Sequence, residues 1–323
     1  MEISNRRPTS AIWNRNITNN LRVIQHAWHF WYAVISVLKC NAAAWSLRAS
    51  HLNWALAVGE TMSICAYCGE DGKVTREHII PDFLYKYQKQ YGGHVGWNDK
   101  AKKIVPSEGK IKDVCATCNN VALGGLDGFA KKMLQESGVL TQNYLQPNVN
   151  LKYDYNLLKR WLLKMSFNSA RAADNNPYAF KRFIQYMLGN EQECKDVIIL
   201  VGLYKPDILT KEEMAQYHGK LEFGSNGEFN PFHTRIAWTP QTDAAFKVRI
   251  VVMGALLFHV VIFDKNVKVG HRRAKLRQWL KTNPNMAQVL SDRQLIVVKQ
   301  LGITFIDTQE FQFARMEALG AFE

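Results

Sequence analysis

Cys65-Ala66-Tyr67-Cys68, then Glu77-His78-Ile79-Ile80-Pro81, then Cys115-Ala116-Thr117-Cys118-Asn119-Asn120: these three short stretches decide how the chain is read. Two Cys-x-x-Cys pairs separated by 46 residues can bring four thiolates to one tetrahedral ion. Two intervening residues let both sulfurs of a pair face the ion across a tight turn. A set of four cysteines is closed, so the expected metal is a structural Zn²⁺ that staples two turns with little apolar material around them. The competing reading is two independent redox pairs.

If one zinc joins the turns at Cys65/Cys68 and Cys115/Cys118, the segment carrying Glu77 and His78 is drawn against the turn carrying Asn119. A carboxylate, an imidazole and an amide oxygen then converge. Glu77 and Asn119 offer oxygen ligands to a hard divalent ion, and His78 can deprotonate a water. Taken singly each is weak, since Glu-His is usually a surface dipeptide and Asn after a turn is usually a helix cap.

The order of these elements resembles the HNH endonucleases, zinc-stapled ββα-metal nucleases. The likeness runs from Cys65 to about Phe129, most closely to members reading Cys-x-x-Cys, Glu-His-Ile-Ile-Pro, Cys-x-x-Cys-Asn-Asn, with Gly124-Gly125-Leu126-Asp127 following. The resemblance implies that His78 is the general base and that Glu77 and Asn119 hold Mg²⁺ or Mn²⁺ on the scissile phosphate. Asn120 and Asp127 are further candidate ligands. Many such nucleases carry an Asn about five residues before the third Cys, where it orients the catalytic His. Here Lys110 stands in that place, which leaves Asn98 or a backbone carbonyl to orient His78.

Outward from this module, composition divides the chain. Residues 1–61 hold five of the nine tryptophans and only two acidic residues, and favour Arg over Lys. They read as a helical or poorly ordered extension, with helices near 20–38 and 42–58. A start at Met62 would make this stretch foreign to the native product, while a genuine extension would pack Trp28, Trp31 and Trp45. Residues 62–138 are the nuclease module. Residues 139–323 read as a larger α+β domain with helices over 157–171, 177–188 and 272–280. Strands are expected at 197–204, 235–238, 247–252, 256–263 and 294–298, with a turn at Gly254. The fold class is α+β: a small ββα-metal zinc module followed by this domain.

The net charge is +13, with 41 Lys and Arg against 28 Asp and Glu, which favours a polyanionic partner. Hydrophobic residues at 47% and charged residues at 21% exclude a disordered chain, a collagen or a coiled coil. No apolar run reaches the roughly 18 residues of a membrane span, so no membrane partner is expected. Six cysteines, four of them in metal spacing, suit a reducing cytoplasm. The expected function is metal-dependent hydrolysis of phosphodiesters in nucleic acid, with duplex DNA first, in a setting such as restriction or phage defence. Residues 139–323 would then aim the nuclease by sensing, by docking a partner protein or by homo-oligomer contact. The rival is a zinc ribbon that binds nucleic acid without cutting it; it needs the cysteines and the charge but not Glu77, His78 and Asn119 together.

Overall fold

A proline sets the geometry at the heart of the module. In the computed structural model, strand β3 (Val74–His78) runs into Ile79-Ile80-Pro81, and helix α1 (Asp82–Gln90) starts at once. The Pro81 carbonyl accepts from the amides of Leu84 and Tyr85, and Asp82 lies in the first turn, where the helix dipole favours an anion. The structure describes residues 63–90, 109–216, 223–239 and 243–308, and the main chain of 96–98 and 103–105. The expectations for residues 1–61 lie outside the described residues.

Ahead of β3, strands β1 (Ser63–Ile64) and β2 (Asp71–Gly72) pair around the first Cys turn. After α1 come a small antiparallel pair, β4 (Gly96–Asn98) with β5 (Lys103–Val105), and then β6 (Lys110–Cys115). β6 lies antiparallel to β3, with a bulge between Thr75 and Arg76. A π-helical turn, Cys118–Leu123, runs straight into α2 (Gly124–Ser137). Gly138 ends that helix in a left-handed conformation (φ +74°) that a side chain would resist, and its amide bonds Gln135.

The rest is α+β. It comprises β7 (Asn148–Lys152), α3 (Tyr155–Ala172), a 3₁₀ turn from Pro177 into α4 (Ile184–Leu188), and β8 (Val197–Lys205). Next come β9 (Asp207–Ile208), α5 (Lys211–Gln216), β10 (Glu228–Phe229), β11 (Thr234–Trp238), β12 (Phe246–Met253) and β13 (Leu256–Phe263). The last elements are α6 (Val269–Thr282), β14 (Ala287–Gln288) and β15 (Leu295–Thr304). The main sheet has the order β11-β12-β13-β8-β15-β7, with β14 also on β8. β15 changes partner along its length: its first half is antiparallel to β7 and its second half is parallel to β8. Gly254 makes the β12–β13 turn at φ +56°, and an added Cβ there would also strike the Phe232 ring.

Side-chain alternation splits the sheet into two faces. Ile199, Val201 and Leu203 of β8, with Phe258, Val260 and Ile262 of β13, face the core that holds α3. Leu200, Tyr204, Leu257, Val261 and Phe263 face a second core closed by Leu276 of α6, with Trp279 packed against it. His259 is buried on that second face, where it meets the Trp279 indole, a core role as its apolar strand suggests. The first core does not stop at Gly138. Cys65, Tyr67, Leu84, Val114, Leu123 and Leu134 belong to it together with Trp161, Phe167 and Phe180. Residues 60–306 form one compact unit, so the zinc-spaced module and the sheet share an interior. No helix among the described residues is long and apolar enough to cross a membrane.

Candidate functional site

The two Cys turns meet. Cys65, Cys68, Cys115 and Cys118 have all four sulfurs within 4.8 Å of one another, and all are thiols rather than disulfides. Zn–S bonds near 2.3 Å at tetrahedral angles put neighbouring sulfurs about 3.8 Å apart; Cys68 Sγ and Cys115 Sγ are 3.8 Å apart. The main chain is already shaped for thiolates. Cys115 N–H donates to Cys65 Sγ at 3.3 Å, and Cys118 N–H donates to Cys115 Sγ at 3.4 Å. Burial resists ionisation of Cys65, yet N–H groups of Cys115, Cys68 and Tyr67 outweigh it and bring the thiol down to about 6. Burial pushes the Cys118 and Cys68 thiols up. A cation among the sulfurs would supply the charge that favours thiolate at all four. The tetrad therefore fits a metal such as zinc.

The meeting of the Cys turns fixes what lies beside them. Ala66 N–H bonds Asp113 O, tying the first Cys turn to β6. Asn119, one residue past the last Cys, donates from Nδ2 to Thr75 Oγ1 at 2.9 Å and to Arg76 O at 3.2 Å. These two bonds orient the amide, and among the described residues Asn119 Oδ1 has no hydrogen-bond partner. His78 follows two residues after Arg76, half-buried, its ring 6.0 Å from that of Tyr85. Lys110, standing where the orienting Asn is common, lies directly opposite His78 across β3 and β6. The Asn98 side chain lies outside the described atoms. Asn120 is exposed.

Glu77 does not accompany His78. Strand alternation turns it inward, and it is only 5% exposed. There its Oε1 sits 2.8 Å from Lys164 Nζ and accepts from Asn168 Nδ2 at 3.2 Å. Asp127 turns to the same lysine: its Oδ2 is 2.7 Å from Lys164 Nζ, and its Oδ1 accepts from Trp161 Nε1 at 3.0 Å. Both carboxylates nominated for a divalent ion are thus counter-ions of a buried lysine.

Lys164, on α3, is the site residue that sequence reasoning missed. Trp161, Lys164, Asn168 and Arg171 recur at helical spacing and grip the module in turn. Asn168 Nδ2 bonds the His78 carbonyl at 3.0 Å, while its Oδ1 accepts from Tyr67 Oη and from Arg171. Arg171 reaches Asp113 on β6 at 3.3 Å and lies over the Tyr67 and Phe167 rings. One signal was available: Lys164 sits inside the apolar run Leu162-Leu163-Lys164-Met165, and a lysine on a buried face requires a compensating partner, a carboxylate among the candidates. Comparison with protein-family models, with curated proteins and with solved structures finds no match to this chain.

Proposed function

We propose that residues 63–137 are an HNH-type nuclease centre, stapled by Zn²⁺ on Cys65, Cys68, Cys115 and Cys118, that hydrolyses phosphodiesters in nucleic acid, with duplex DNA as substrate. The main support is Asn119. The second Cys turn delivers it to Thr75 and Arg76, on the strand that ends at His78, with its amide oxygen unengaged among the described residues. His78 takes the proton of the attacking water, and Asn119 Oδ1, with the exposed Asn120 beside it, is a protein oxygen available for an ion on the substrate phosphate. When bound, Mg²⁺ or Mn²⁺ supplies charge stabilisation for the phosphate and the leaving oxygen. Such an ion would keep several waters and lean on substrate oxygens, because Glu77 and Asp127 are committed to Lys164. In this reading Glu77 holds the strand that carries His78 rather than the ion.

Incubation of the pure protein with supercoiled plasmid separates this reading from a zinc ribbon that only binds. Nicked or linear DNA should accumulate when Mg²⁺ or Mn²⁺ is added and not without it. A protein that retards the plasmid and leaves it supercoiled under every ion is the non-cutting binder.

A further inference from the structure

The basic excess has a focus away from His78. Between Lys265 and Lys281 the chain carries seven Lys and Arg residues and no Asp or Glu, and the next acid is Asp292. Helix α6 occupies most of this segment. Two of its cations are spoken for: Arg272 pairs with Asp196 at 2.6 Å, and Lys275 pairs with Asp243 at 2.8 Å. Lys265, Lys268, Arg273, Arg277 and Lys281 are exposed, and none makes an ion pair among the described residues.

Arg273, Arg277 and Lys281 fall at i, i+4 and i+8, so they share one face at steps of about 6 Å along the axis. Like charges at that spacing oppose the helix. A solvated face does not call for such a row, whereas a row of phosphates does. The geometry points to this face of α6 as a second nucleic-acid contact, one that grips the phosphate backbone without reading sequence. The helix turns its apolar side, Leu276, Trp279 and Leu280, into the protein. It therefore has no apolar face to lay into a bilayer, as a membrane-surface helix requires. α6 covers the opposite side of the sheet from α3, the helix that holds the His78 strand, so this contact tethers nucleic acid rather than presenting the bond to be cut.

The inference rests on the nucleic-acid partner of the proposed function, but it is read without cleavage. Binding of the full chain to a fluorescent duplex of arbitrary sequence is followed by anisotropy across a salt series with no divalent ion added. Each phosphate contact contributes a slope of about −0.9 in log K against log[salt] on B-DNA. The R273Q/R277Q/K281Q variant should flatten the slope by about 2–3 and lose affinity, while R273K/R277K/K281K keeps the wild-type slope. Equal slopes and affinities in the wild type and the Gln variant overturn the proposal. So does a Gln variant that keeps its DNA affinity but no longer binds phosphatidylserine vesicles. A chain that binds in this way and never cuts a plasmid leaves the contact standing and removes only the nuclease.

Discussion

Cys115→Ser is expected to unfold the module from Cys65 to Ser137. Four sulfurs within 4.8 Å, with main-chain N–H groups already directed at two of them, could hold a metal ion such as zinc with no position left open. Apparent binding energies of structural zinc are roughly 10–16 kcal/mol, while a whole domain is stable by only about 5–15 kcal/mol. β1 and β2 are two residues each and cannot hold the first Cys turn alone. The loss should spread, because Cys65, Cys118 and Leu84 share a core with Trp161 and Phe167. Elemental analysis should give one zinc per chain, and limited proteolysis of the variant should cut between residues 63 and 137. Zinc-free protein that melts with the wild type would contradict this.

Lys164→Met has the next largest effect on stability. It strands Glu77, which is 5% exposed, and deprives Asp127 of its partner. Removing one partner from a buried pair typically costs about 3–5 kcal/mol, because the other charge stays behind. Replacing both partners is far gentler, so Lys164→Met combined with Glu77→Gln should regain much of the loss. Asp127, at 28% side-chain exposure, can turn to water in either variant. Urea unfolding decides it: a single-variant cost below about 1 kcal/mol would mean that the lysine does not bind the module to α3.

The elements that sequence periodicity could see lie close to where the structure puts them. The stripe read over 157–171 is α3 at Tyr155–Ala172, and the strand read over 256–263 is β13. β7 was missed although Asn148-Val149-Asn150-Leu151-Lys152 alternates, because five residues with only two apolar positions and two strand-poor asparagines are a weak pattern. Within the site, the cysteines were legible because metal spacing is local. Glu77 was not: adjacency to His78 says nothing about which side of a strand each takes, and the group that claims it is Lys164 on α3, beyond the module. The same distance hid the partners of Asn168 and Arg171, which lie on β3 and β6 and are out of reach of any local pattern.

His78→Ala tests the central claim most directly, because it removes the proposed base while leaving intact the four cysteines, the Lys164 network and the basic face of α6. Single-turnover cleavage of supercoiled plasmid in Mg²⁺ should fall by about 10²–10⁴, the usual contribution of a general base. Zinc content, melting temperature and DNA affinity should match the wild type. Cleavage by His78→Ala at the wild-type rate would contradict the account.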